Sequence, residues 1–91
     1  MSLTIHLPAV LAKLTDGRKS ITAEGRTVGE AVGHAAHQFP ALSARLRDEH
    51  GNPYPFVTFY LNDEDIRFGG GFQAEVRDGD ELIVVPAIAG G

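Results

Sequence analysis

The stretch that decides the fold is the end of the chain, 77-RDGDELIVVPAIAGG-91. Its Asp-Gly pair is typical of a reversing backbone, and the run that follows it is apolar and β-branched. The pattern predicts a turn and then a last strand over residues 81–85, which Pro86 ends because proline cannot donate a hydrogen bond to a sheet. We therefore expect a domain over residues 1–85 and a flexible tail over residues 86–91.

Length and composition restrict the class of protein. The chain has 91 residues, which is the size of one domain with one hydrophobic core. Twelve acidic residues against eight basic ones give a net charge of −4, which argues against a nucleic-acid partner. There is no cysteine, so a disulfide, a zinc-thiolate site and a cysteine nucleophile are all excluded.

The sequence also predicts where the protein works. No apolar stretch approaches the ~20 residues that a membrane-spanning helix needs. The first residues, MSLTIHLPAV, lack the charged region and cleavage pattern of a secretory signal. We expect a cytoplasmic protein with no membrane partner.

Two alternating stretches open the chain. LTIHL at residues 3–7 places Leu3, Ile5 and Leu7 on one face of a strand, and KSITA at residues 19–23 alternates in the same way. The connection between them is longer than a tight turn needs. We predict an opening β-hairpin with a loose connection through residues 9–18.

One strong helix signal follows. Thr27 and Glu30 have the spacing of a reciprocal capping pair at a helix start, and Pro40 stops the pattern. Between them the apolar residues recur at helical spacing: Val28, Ala31, Val32, Ala35, Ala36 and Phe39. Residues 41–47 could add one or two turns, with Leu42 and Leu46 facing inward.

The second half is predominantly strand. FVTFYLN at residues 56–62 is rich in aromatic and β-branched residues and predicts a central strand, with Val57, Phe59 and Leu61 on one side. Phe56, Thr58 and Tyr60 then lie on the other side. A polar turn at residues 62–65 leads into a short strand at residues 66–68, and the GGG that follows breaks it.

Alternation in the last strand predicts two different faces. If Leu82 and Val84 point into the core, Ile83 and Val85 point to the opposite face together with Tyr60. A contiguous apolar surface of this kind marks a partner site, whereas scattered exposed apolar side chains are normal and mark nothing. Strands that flank one long helix indicate an α+β fold, with a mixed sheet that covers the helix on one face.

Two segments carry a family resemblance that extends over essentially the whole chain. YLNDEDIRF at residues 60–68 and the terminal stretch at residues 77–91 resemble the MoaD and ThiS family of bacterial sulfur-carrier proteins. Within that family the chain is most similar to the actinobacterial carriers that serve cysteine biosynthesis. The resemblance implies a β-grasp, or ubiquitin-like, fold of four to five strands packed on one main helix.

The resemblance also implies a function at the C-terminus. An E1-like enzyme would use ATP to adenylate the Gly91 carboxylate, and a sulfur donor would convert it to a thiocarboxylate. A sulfur-accepting biosynthetic enzyme would then take the sulfur. The chain would be a protein cosubstrate rather than an enzyme, with no bound cofactor and no metal.

The tail has physical properties that suit this role. An extended backbone from Pro86 to Gly91 reaches roughly 20 Å, at about 3.3–3.6 Å per residue. Gly90 and Gly91 lack side chains and can pass through a narrow channel. We therefore predict Gly90 and Gly91 as the reactive end. The predicted partner-binding residues are Tyr60, Ile83, Val85, Pro86, Ala87, Ile88 and Ala89.

Other motifs are interpreted as structural. Glu30, His34 and His37 share one helix face but lack an evident fourth metal ligand, so we interpret them as a solvated face. The acidic residues 63–65 lack the pattern of a calcium loop and predict a charged turn that could steer a basic partner. GGGFQ at residues 69–73 has no phosphate-binding lysine after it and predicts a turn. His6 and His50 are isolated in the sequence.

Two other functions use the same terminus. A ubiquitin-like modifier would form an isopeptide bond with a target lysine, and the small subunit of molybdopterin synthase would serve a different acceptor. A third alternative is a non-covalent interaction module that uses only the sheet face. The sequence leaves open whether the sulfur goes to cysteine, thiamine, molybdopterin or a thiosugar.

Overall fold

A computed structural model of the chain describes residues 1–48, 50–55 and 57–86. Within these residues one mixed sheet packs against one main helix. The strands are β1 (Ser2–His6), β2 (Ser20–Glu24), β3 (Val57–Leu61), β4 (Glu64–Asp65) and β5 (Glu81–Pro86). The helices are α1 (Ala9–Ala12), α2 (Val28–Gln38) and α3 (Ser43–Leu46), and short 3₁₀ turns lie at Lys13–Thr15, Pro40–Leu42, Ile66–Phe68 and Gly71–Gln73.

The sheet has five strands in the order β2-β1-β5-β3-β4. β1 pairs antiparallel with β2 and parallel with β5, and β5 pairs antiparallel with β3. This mixed pairing confirms the predicted α+β fold. The opening hairpin is confirmed as well, and its loose connection contains α1 and a 3₁₀ turn.

The core lies between the sheet and α2, as the two periodicities predict. The inward side chains of β1, β3 and β5 include Leu3, Ile5, Phe59, Leu82 and Val84, each 2% exposed or less. Five residues of α2 face them and are buried: Val28, Ala31, Val32, Ala35 and Ala36. Leu42 and Leu46 close the core from the following turns, as predicted.

The start of α2 follows from its capping residues. The Thr27 hydroxyl accepts a hydrogen bond from the Glu30 backbone N–H at 3.1 Å. The Glu30 carboxylate accepts one from the backbone N–H of Arg26 at 3.0 Å, one residue before the cap. The backbone N–H groups of Arg26 and Glu30 are therefore both hydrogen-bonded at the entry to the helix.

β3 lies inside the sheet, as predicted, between β5 and the two-residue β4, and β5 is the middle strand of the five. The prediction of a short strand at residues 66–68 was wrong. Residues 66–68 form a 3₁₀ turn rather than a strand. The reason is local: the Asp65 carboxylate accepts a hydrogen bond from the Arg67 backbone N–H at 2.9 Å and turns the chain out of the sheet.

The turn between β3 and β4 explains the short strand that does form. Asn62 and Asp63 have φ values of 49° and 71°, and Leu61 lies opposite Glu64. Two successive left-handed residues are typical of a tight hairpin turn that matches the twist of the flanking strands. The turn is therefore shorter than the predicted residues 62–65: Asn62 and Asp63 form it, and Glu64–Asp65 belong to β4.

Candidate functional site

The sheet face opposite α2 carries the predicted apolar cluster. Ile83 lies at its centre, directly opposite Tyr60 on β3 and next to His6 on β1. Val85 lies opposite Thr58 and is 40% exposed, whereas the intervening Val84 is buried at 2%. We call Tyr60, Ile83 and Val85 the sheet patch. The structure brings all three together, as the alternation predicts.

The parallel pairing of β1 and β5 adds a polar border that the sequence did not predict. His6 Nε2 and Glu81 Oε1 are 2.8 Å apart beside Ile83. His6, which is isolated in the sequence, therefore has a partner in the fold. The residues are 75 positions apart in sequence, so only the pairing of their strands brings them into contact. An apolar centre with a polar border is the usual anatomy of a protein interface.

A second polar feature lies beyond Tyr60. Asp65 is opposite Tyr60 in the sheet, and its carboxylate binds the Arg67 side chain at 3.0 Å through Nε and 2.6 Å through Nη2. The side-chain hydrogen bond from Arg67 lowers the pKa of Asp65 below its ordinary value of 3.8, and the Arg67 backbone N–H acts in the same direction. Asp65 in turn raises the pKa of Arg67, and Tyr60 adds a smaller effect of the same sign.

We predict that Asp65 titrates below 3.8 and that Arg67→Gln moves its pKa back toward that value. Because the folded pKa is depressed, the Asp65–Arg67 pair is fully formed above the ordinary pKa and is lost as the pH falls through the lowered one. NMR titration of the side-chain carboxyl carbon measures both variants. An unchanged Asp65 pKa in Arg67→Gln would mean that the hydrogen bond to Arg67 is not the cause.

The predicted reactive end of the chain follows β5 in sequence. Pro86 is the last residue of β5 and lies opposite Val57, so β3 pairs with the strand up to the point where the tail begins. Of the predicted tail residues, Pro86 is described. Ala87, Ile88, Ala89, Gly90 and Gly91 lie outside the described residues. The C-terminal segment therefore begins at the end of the sheet where Val57 of β3 lies.

The histidines of α2 do not form a metal centre in the part of the chain that the structure describes, where no three His, Asp or Glu side chains are arranged to hold an ion. His34 has a different role, because its Nδ1 accepts a hydrogen bond from the Glu24 backbone N–H at 2.9 Å. Gln38 donates to the Thr22 carbonyl at 3.3 Å. Both side chains thus satisfy backbone groups of the edge strand β2.

The glycines at residues 69–71 belong to the turns around Phe68 and Phe72. Gly70 and Gly71 have φ values of 104° and 60°, which a side chain would disfavour. The 3₁₀ turn that follows places Phe72 edge-on against the buried Phe59, with ring centroids 5.3 Å apart. The predicted turn is confirmed. Among residues 1–48, 50–55 and 57–86, no helix is both long and apolar enough to cross a membrane.

A mixed five-stranded sheet that covers one main helix, with the last strand in its middle, is the architecture of the β-grasp, ubiquitin-like proteins. The ThiS family profile matches residues 5–91, so the chain belongs to the ThiS family. The match extends from β1 through the final glycines and confirms the resemblance found in the sequence.

Relatives of known name agree with this assignment. The sulfur carrier protein CysO of Mycobacterium tuberculosis strain H37Rv is 39% identical over 93 residues, which cover 100% of both chains. Its crystal structure has a TM-score of 0.87 at 36% identity, covering 94% of this chain and 99% of that one. A chain in the BexX/CysO complex of Amycolatopsis orientalis has a TM-score of 0.90 at 43% identity, covering 98% and 99%. SAMP1 of Haloferax volcanii has a TM-score of 0.83 at 26% identity and 100% coverage of both chains.

Proposed function

We propose that this protein is a sulfur carrier of cysteine biosynthesis, and that its reactive group is the Gly91 carboxylate. The proposal rests on the match to the ThiS family over residues 5–91 and to CysO over the whole chain, both of which include the terminal glycines. The chain has no cysteine, so its own side chains offer no thiol to hold the sulfur. The resemblance to the MoaD and ThiS family implies the terminal carboxylate as the group that takes the sulfur.

The proposed chemistry needs activation by a partner. Exchange of a carboxylate oxygen for sulfur is uphill, and an E1-like enzyme drives it with ATP. The Gly91 carboxylate oxygen attacks the α-phosphorus of ATP, which releases pyrophosphate and leaves an acyl adenylate. A sulfide-equivalent donor then forms the carbon–sulfur bond as the carbon–oxygen bond to AMP breaks. The product is a thiocarboxylate, whose anionic sulfur is the nucleophile toward the acceptor.

The proposal assigns partner binding to the folded domain and reactivity to the C-terminus. The sheet patch offers an apolar contact with a polar border, and β5 leads from that patch to the tail. The five residues after Pro86 could span at most about 18 Å when fully extended. A partner could therefore bind the sheet patch while its own active site receives Gly91. The BexX/CysO complex shows that a similar chain forms a complex with another protein.

The proposal predicts a mass change confined to the terminus. The full-length chain is incubated with the E1-like enzyme of its own organism, ATP and sulfide, and intact-mass spectrometry follows the exchange of one oxygen for one sulfur. Fragmentation should place the sulfur on Gly91. A reaction without ATP is the control and should show no gain. Absence of the exchange with all components present would contradict the carrier function.

A ubiquitin-like modifier is the second candidate, and the similarity to SAMP1 favours it. The name of that protein, small archaeal modifier protein 1, describes conjugation rather than sulfur delivery. The two functions differ in the fate of the activated terminus. A modifier would leave Gly-Gly remnants on lysines of other proteins after proteolysis, whereas a carrier would return to the free carboxylate.

A further inference from the structure

Phe68 is an exposed aromatic residue that the proposed function has not used. Its exposed fraction is 88%, against 40% for Val85 in the sheet patch. A phenylalanine of this exposure has no packing role in the folded domain. Ile66, two residues earlier in the same turn, is buried at 3% and anchors the turn that presents Phe68.

Hydrogen bonds and an ion pair fix the conformation of the turn that carries Phe68. The Asp65 carboxylate caps the Arg67 backbone N–H at 2.9 Å and grips the Arg67 guanidinium through two nitrogens. The Arg67 Cζ lies 5.9 Å from the centroid of the Phe68 ring, within the range of a cation–π contact. The Gly69 backbone N–H closes the turn on the Ile66 carbonyl at 3.0 Å. A side chain held in this way loses little conformational freedom when a partner binds it.

The chain that leads to Phe68 runs toward the end of the sheet where the tail begins. β4 runs antiparallel to β3, so the chain from Asp65 to Phe68 heads back toward Val57, the end of β3 that lies opposite Pro86. The position of Arg67 agrees with this direction of the chain. Arg67 lines a groove of about 290 Å³ together with Pro55, Val57 and Thr58. A protein that receives the tail beyond Pro86 thus lies near the outer side of β3.

The surroundings of Phe68 are acidic. Asp63 and Glu64 lie in the preceding hairpin, and Glu64 lines a small pocket with Gly69, the residue after Phe68. The positive charge of Arg67 does not offset these negative charges, because Arg67 is paired with the Asp65 carboxylate. Together with the net charge of −4, this favours a partner with basic side chains around the point of contact.

We propose that Phe68 is a second docking anchor, which enters an apolar pocket bordered by lysine or arginine on the E1-like enzyme. The inference rests on the proposed function. The same enzyme is the partner because the two surfaces are continuous. Asp65 lies opposite Tyr60 of the sheet patch and binds Arg67, whose guanidinium lies over the Phe68 ring. The enzyme therefore contacts the carrier from β5 across β3 to the turn that follows β4.

The test compares Phe68→Ala with wild type in binding to the E1-like enzyme, measured by calorimetry on the full-length chain without ATP. Loss of the anchor should weaken binding about 10-fold, while the melting temperature stays unchanged because the ring is exposed. His37→Ala is the control, since His37 is exposed on α2, on the other side of the sheet. Glu64→Gln should slow association about threefold at low salt and have less effect at high salt.

The outcomes separate this anchor from the carrier function. Equal affinity of Phe68→Ala and wild type, with sulfur still transferred to the wild-type terminus, overturns the anchor and leaves the function standing. An unchanged association rate for Glu64→Gln overturns the basic border of the pocket. A wild-type chain that gains no sulfur overturns the carrier function and the anchor with it.

Discussion

Deletion of Gly91 is expected to abolish adenylation by the E1-like enzyme. The deletion moves the terminal carboxylate back along the chain by about 3.5 Å, the length of one extended residue. Misplacement of a reacting group by even ~1 Å can cost about 100-fold in rate, so we expect at least that loss. One alanine added after Gly91 should have the same effect, because it moves the carboxylate forward and adds a side chain. ATP–pyrophosphate exchange measures this step directly.

The fold provides the control for this prediction. Gly91 lies five residues after the end of β5, and the core is formed by residues between Leu3 and Val84. Both variants should therefore have the circular dichroism spectrum and melting temperature of wild type, and they should still bind the enzyme through the sheet patch. Full turnover by either variant would show that the terminal carboxylate of Gly91 is not the reacting group.

Ile83→Glu is expected to weaken binding to the E1-like enzyme by about 2 kcal/mol, or roughly 30-fold. Ile83 lies at the centre of the sheet patch, between Tyr60 and His6, and any partner that covers the patch must desolvate the introduced charge. Val85→Glu and Tyr60→Glu should act in the same direction. The affinity is measured by calorimetry, and the melting temperature is measured in parallel.

His37→Glu is the matched control because it adds the same carboxylate at an exposed position of α2, on the opposite side of the sheet. It should bind as wild type does. If Ile83→Glu retains full affinity while it remains folded, the sheet patch is not the docking surface, and the enzyme contacts the carrier elsewhere.

The two predictions affect different kinetic parameters. The sheet patch contributes binding that is the same before and during the reaction, so its loss should raise KM and leave kcat nearly unchanged. The Gly91 variants place the carboxylate wrongly within a complex that still forms, so they should lower kcat. This difference distinguishes the docking surface from the reacting group in a single set of kinetic measurements.

The sequence by itself determined the elements and their faces. Alternation in LTIHL, VTFYL and ELIVV assigned the inward side chains correctly, and the Thr27–Glu30 spacing located the start of α2. These features are local, because the side-chain period of a strand and the capping of a helix involve residues within a few positions of one another. The chemistry proposed for the terminus came from the family resemblance of residues 60–68 and 77–91.

The tertiary structure decided which strands meet, and with them the borders of the site. Placement of β5 between β1 and β3 brings His6 to Glu81 and surrounds Ile83, a result that no local pattern encodes. The short strand moved from residues 66–68 to Glu64–Asp65 because the Asp65 carboxylate turns the chain, and that turn exposes Phe68. Strand pairing depends on contacts between residues far apart in sequence, whereas periodicity reports only whether a residue faces inward or outward.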